Sequence, residues 1–166
     1  MPVEIIINEG NGRLMTTGQL GDVMRESVKA AQTYLRSHAA DFGIDQKKFD
    51  SIDVHVHIPQ GGIPKEGSSA GITIATALAS ALSGRAVRKD TTMTGEITLR
   101  GRILRTEGLK EKILAAHRAG LKQFIMPEAN ARELDDVPEK AKRDLTFVLA
   151  KDMAEVVAAA LLGPPA

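Results

Sequence analysis

The sequence predicts an α+β fold, and three observations carry that prediction. Strand-like and helix-like runs are interspersed along the 166 residues rather than alternating as strict β-α units. The first two strand-like runs flank a turn with hairpin chemistry, which implies an antiparallel start. One helix, beginning at Ser69, is apolar nearly all round, so it must be the buried central helix against which small mixed sheets pack.

The elements follow in order. Val3 to Ile7 reads as a strand, Asn8-Glu9-Gly10-Asn11-Gly12 as the turn, and Arg13 to Thr16 as the return strand. From Gln19 to about Phe42, Leu20, Val23, Met24, Val28, Ala31, Leu35 and Ala39 recur at helical spacing. Gly43 ends that helix. Ile52 to Ile58 alternates strictly and is a half-buried strand. Pro59 to Gly67 is a Gly/Pro loop, and Ser68 and Ser69 then stand where a helix needs a capping oxygen. The central helix runs to Gly84. Met93 to Leu99 and Gly101 to Leu104 read as strands joined at Arg100-Gly101. A helix from Gly108 to about Ala119 is stopped by Gly120, and the short strand Phe124-Ile125-Met126 by Pro127. Asn130 to Asp144 holds short polar helices around Pro138. Thr146 to Leu149 is a last strand, and Asp152 caps a last helix through Leu162.

Composition sets the outer bounds. Residues 1–166 are expected to form one domain, with 43% hydrophobic and 26% charged residues. Aromatics are only 3%, so the core must be aliphatic. A net charge of +1 argues against a nucleic-acid footprint or an anionic membrane as partner. No cysteine is present, which excludes disulfides, a thiolate nucleophile and thiolate-bound zinc. No apolar run is long enough to cross a membrane, and no basic-then-apolar leader is seen, so a cytoplasmic protein is the expectation.

Two residues carry possible chemistry. An exposed serine hydroxyl at a helix start, beside the unpaired N–H groups of Ser69 and Ala70, can form a nucleophile with an oxyanion hole. It can equally be a cap. On the helix after Gly108, successive residues turn by about 100°, so Lys112 falls among Ala115, Ala116 and Ala119. Lys110 lies instead beside His117, on a mixed face. A lysine on a small apolar face is either buried, with its pKa pulled below about 10.4, or snorkels to water over the alanines. A neutral lysine could take a proton from serine. The residues alone leave both pairs of readings open.

The wider pattern narrows them. Thr17 to Ser27, His55-Val56-His57-Ile58-Pro59, Pro64 to Gly71, Met93-Thr94-Gly95-Glu96-Ile97-Thr98-Leu99-Arg100-Gly101, and Gly108 to Lys112 with Ala115 to Gly120 form ordered blocks. Together they closely resemble the proteolytic domain of Lon proteases, over nearly the whole chain. The resemblance implies a serine endopeptidase with a Ser–Lys dyad acting on unfolded or damaged proteins. Ser69, directly before Ala-Gly, would be the nucleophile, and Lys112 the general base. Thr94 would lie against that lysine. It also implies hexameric rings with enclosed active sites. In intact members an ATPase ring uses ATP and Mg. In this chain no lysine is followed by Ser or Thr, so it has no nucleotide-binding Gly-Lys-Ser/Thr motif, and no cofactor is expected for this domain. Family members usually carry Asp and Pro where this chain has Glu66 and Ser68, and an apolar residue and Gly where it has Thr106 and Glu107. Glu66 is long enough to reach toward Lys112 and hold it charged.

Other readings stay in view. His55 and His57 share a strand face with Asp53, a weak metal signal with no third ligand at matching spacing. His57 could serve a Ser-His-Asp triad. His38 and His117 read as helix-surface residues, Glu4 as an interface residue, and Glu128 to Arg143 as a solvated face. Pro-x-x-Gly-Ser-Ser-Ala before a helix also resembles the phosphate loop of galactokinase-type kinases. A non-catalytic scaffold, with Ser69 as cap and a snorkelling Lys112, is the third alternative.

Overall fold

The computed structural model describes residues 1–163; Pro164, Pro165 and Ala166, the end of the expected domain span, lie outside them. Strand β1 (Glu4–Glu9), β2 (Leu14–Thr17) and β3 (Ile52–His57) form one sheet in the order β1-β3-β2. The expected hairpin is therefore corrected. β1 pairs antiparallel with β3, β2 pairs parallel with β3, and the two do not touch as neighbours. Side-chain chemistry explains why. Asp53, at the start of β3, accepts the N–H groups of Asn11 and Arg13 at 2.9 Å each. Gly10 and Gly12 donate to the Ser51 and Ile52 carbonyls. The turn is thus tied to the end of β3, and the chain crosses over it instead of folding back on β1.

Helix α1 (Asp22–Ser37) buries Met24, Val28, Ala31 and Leu35 as the spacing predicts, but Val23 faces solvent. It is shorter than the periodicity suggests. Leu20 is held in a bridge to Lys65, and beyond His38 the chain tightens into a 3₁₀ turn, Ala39–Phe42, closed by Gly43 at φ 68°. One-turn α2 (Lys48–Ser51) has no apolar period to announce it and buries only Phe49. Helix α3 (Gly71–Ser83) is the central helix expected. It packs against α1, β1 and α6 (Met153–Ala160) and buries Ile72, Ile74, Leu78 and Ala79 completely.

The expected strand Met93 to Leu99 is two strands, β4 (Thr91–Met93) and β5 (Glu96–Ile97). They part because Thr94 N bonds to Ile125 O while Gly95 N bonds to Ser69 O, so successive amides serve different neighbours. β5 pairs antiparallel with β6 (Ile103–Leu104) through the turn at Gly101. After α4 (Leu109–Arg118), β7 (Gln123–Pro127) lies between β4 and β8 (Thr146–Ala150) in a parallel sheet. A 3₁₀ stretch, Glu128–Asp136, and α5 (Glu139–Asp144) fill the expected polar region. Asp152 caps α6, accepting Glu155 N at 3.0 Å. That helix stops at Ala160 because Leu162 N turns to Ala86 O. The mixed α+β class stands.

β7 is buried on both faces, and its residues join two clusters in alternation. Ile125 joins the larger cluster, with α1, α3, α6 and the first sheet. Phe124 and Met126 join a smaller one, with Leu109, Ile113 and Ala116 of α4. The second sheet thus separates two apolar clusters, with α3 on one side and α4 on the other.

Candidate active site

Ser69 does not cap the central helix. That helix begins at Gly71, Ala70 holds the cap position, and no side chain bonds to its first amides. The chain before it is instead clasped to the β4–β5 connection. Gly95 N donates to Ser69 O at 2.9 Å, and Ile72 N donates to Gly95 O at 3.1 Å. Gly71 permits this approach, since a Cβ there would stand 2.9 Å from Ile97 N. Freed from capping, the Ser69 side chain is half-buried at the edge of a cavity of 310 Å³. Ala70, Thr73, Thr94, Lys112, Ala115, Ala116 and Ala119 also line it.

Lys112 reaches that cavity from α4, and the face predicted for it is the one observed. Ala115 and Ala119 stand at the solvent edge and Ala116 is buried. Burial pulls the Lys112 ammonium below its ordinary 10.5, because the charged form loses water without gaining a carboxylate. Its Nζ donates to Thr94 Oγ1 at 3.2 Å. Thr94 is 4% exposed, and its hydroxyl donates to Ser69 O at 3.3 Å. Ser69, Thr94 and Lys112 are therefore joined through one buried threonine.

The remaining sequence candidates are placed elsewhere. Glu66 does not reach Lys112. Its Oε1 accepts Met24 N at 3.0 Å and Gly67 N at 2.9 Å, so it caps α1, whose own cap residue, Gly21, has no side chain. The unpaired amides at the start of α1 favour a carboxylate there. His57 lies on β3, where its Nδ1 is 2.7 Å from Thr17 Oγ1, and His55 Nε2 is 2.8 Å from the same oxygen. Neither histidine lines the Ser69 cavity. Among the described residues, no group of three or more His, Asp or Glu could hold a metal ion. His117 is more than a surface residue, bonding Asp144 at 2.7 Å across α4 and α5. Glu4 faces solvent on β1, opposite His57.

Sequence reasoning missed two supports of the serine loop. Ser68 Oγ donates to Glu96 Oε2 at 2.6 Å, tethering the residue before Ser69 to β5. Lys65, in the Gly/Pro loop, is only 9% exposed. Its Nζ donates to the carbonyls of Gly18, Ile58 and Gln60 at 2.8, 3.2 and 2.7 Å. Neither partner set has a sequence signature, because Glu96 and Gly18 lie far off along the chain and the Ile58 and Gln60 acceptors are main-chain carbonyls that any residue carries.

Residues 1–163 match the family model for the Lon protease (S16) C-terminal proteolytic domain. The chain is 54% identical over 156 residues to Lon protease 4 of Sorangium cellulosum, covering 94% of this chain and 20% of that protein. It is 51% identical over 165 residues to a Lon protease of Chloroflexus aggregans, covering 99% and 20%. To Lon protease 1 of Bacillus subtilis it is 52% identical over 163 residues, covering 98% and 21%. The chain thus spans about a fifth of the length of the curated relatives it matches. On this evidence the chain belongs to the family of Lon protease (S16) C-terminal proteolytic domains.

Proposed function

We propose that this chain is a serine endopeptidase domain in which Ser69 is the nucleophile and Lys112 the general base. The observation that carries the reading is the meeting of Ser69 and Lys112 on one cavity, with Thr94 bonded to both. Thr94 spends its proton on the Ser69 carbonyl, so it can only accept from Lys112. Once neutral, the amine keeps its lone pair for the Ser69 hydroxyl.

Ser69 Oγ attacks the scissile carbonyl carbon as its proton passes to Lys112 Nζ. The oxyanion that forms is assigned to the N–H groups of Ser69 and Ala70 at the start of α3. The Lys112 ammonium then protonates the departing amine, leaving an acyl ester on Ser69. Water, giving its proton to Lys112, hydrolyses that ester and restores the serine. No cofactor enters these steps.

In this reading the substrates are unfolded or damaged polypeptides. Hexameric ring assembly, a cytoplasmic setting and coupling to an ATP- and Mg-using ATPase ring, as in the intact family enzyme, belong to the same proposal. Nucleic acid and membrane are not partners in it.

Ser69→Ala and Lys112→Met should each abolish hydrolysis of an unstructured polypeptide while leaving the far-UV circular dichroism unchanged. A peptide boronate or fluorophosphonate should modify Ser69 alone, mapped by mass spectrometry. Cleavage retained in either variant, or an adduct on another residue, overturns the dyad. Saturable nucleotide binding without cleavage would point to the phosphate-loop reading instead.

A further inference from the structure

We propose that Lys65 is a positioning residue for Ser69, acting as the anchor of the loop that delivers the nucleophile. This rests on the reading of Ser69 as nucleophile. The connection from Ile58 to Ala70 contains no helix or strand, and much of it is exposed, including Gly61, Gly62, Ile63 and Pro64. Such a stretch would wander unless something fixed its far end.

Lys65 fixes it from both main chain and side chain. Its N–H donates to Gln19 O at 3.0 Å, and its carbonyl accepts Gly21 N at 2.8 Å. Its Nζ sits among three carbonyls drawn from two separate segments, Gly18 on one side and Ile58 and Gln60 on the other. Gly18 has φ 112°, and a Cβ there would overlap the Ile58 carbonyl, so only glycine lets the two segments come this close. Gln60 is held at φ 66°, a strained conformation kept where surroundings over-determine it. Inward-turned carbonyls need donors. An ammonium supplies three in a tetrahedral set, matched to the three acceptors, whereas a guanidinium offers a planar fork.

From this seat the chain has only Glu66, Gly67 and Ser68 to cross before Ser69. Glu66 is pinned on α1 and Ser68 on Glu96. Lys65 therefore sets where the nucleophile begins, although no hydrogen bond joins it to Ser69, Thr94 or Lys112 among the described residues.

The test uses the full chain. Lys65→Met removes the donors and keeps the length. A misplacement of about 1 Å can cost about 10²-fold in rate, so turnover of an unstructured polypeptide should fall by about that factor, with KM changed by less than about threefold. In hydrogen exchange the amides of Gly21 and Gly95, which bond Lys65 O and Ser69 O, should speed up at least about tenfold more than amides in the middle of α3. Lys65→Arg, which keeps the charge and loses the tetrahedral donors, should show both effects. Wild-type turnover in either variant, or equal acceleration of all amides, overturns the proposal, since a residue that only stabilises the fold would move every amide alike. Should neither variant fold, the wild-type chain still decides. Its Lys65 amide must exchange as slowly as the α3 amides, and exchange at the rate of Gly61 and Gly62 overturns the anchor. If the wild-type chain cleaves nothing, the peptidase reading fails on its own, while the exchange data still judge Lys65.

Discussion

Among the described residues, the Lys112 amine faces three alanines and a threonine hydroxyl and has no carboxylate paired with it to keep it charged, and this is the condition a base needs. Among the described residues, Thr94 is the one hydrogen-bond partner of the Lys112 side chain. Removing its hydroxyl should cost activity without emptying the site. Thr94→Val is expected to lower kcat by up to about 10²-fold, the cost of a slightly misplaced catalytic group, and to change the pH at which the rate is half-maximal. With the wild-type chain, activity should climb with pH along a single ionisation lying below the free-lysine 10.5; a flat profile measured by steady-state kinetics contradicts a lysine base. Thr106 poses the opposite case. Its backbone is paired on both sides with buried Asn130, but its Oγ1 is buried with no hydrogen-bond partner among the described residues. Thr106→Val should therefore raise stability by about 1 kcal/mol, read as a higher denaturant midpoint. At this scale the sequence was most legible at Lys112, where helical spacing alone separates it from Lys110. It was least legible at Lys65 and Ser68, whose partners are set by tertiary folding.

At the scale of elements, one helix depends on a residue outside itself. α1 begins at a glycine without a capping side chain and borrows Glu66 from the serine loop, 42 positions on. Glu66→Ala should thus destabilise the chain by about 0.5–2 kcal/mol, the usual cost of a lost cap, measured by urea unfolding. The pH–rate profile should keep its midpoint, because Glu66 bonds α1 and not Lys112. Helix periodicity was readable for α1, α3 and α4 because each lays a continuous apolar stripe on a cluster. The β1–β2 pairing was misread because local turn chemistry at Asn8 to Gly12 says nothing of Asp53, which takes the turn's amides for β3. The break at Thr94-Gly95 was hidden for a similar reason. A run of strand-forming residues does not reveal that two neighbouring amides answer to different segments.

The whole molecule carries the cost of its own site. Lys112 titrates lower folded than unfolded, so between those two values the unfolded chain binds more protons, and stability rises with pH. Below that window the buried ammonium opposes folding in full. Lys112→Met should accordingly raise the melting temperature near neutral pH, and the gain should shrink as pH approaches 10.5. Thermal unfolding of both proteins at the two pH values checks the sign.

The alternation along β7 also bears on this site. Phe124 and Met126 face one cluster and Ile125 the other. The helix of Lys112 is rooted in the first, and the helix that follows Ser69 in the second. Ser69 and Lys112, the two residues of the proposed dyad, thus ride on different hydrophobic foundations that meet along a single strand. Their separation is a matter of registry between those foundations, with Thr94 bridging the seam. A slip too small to unfold either half would be enough to part Ser69 from the base proposed for it.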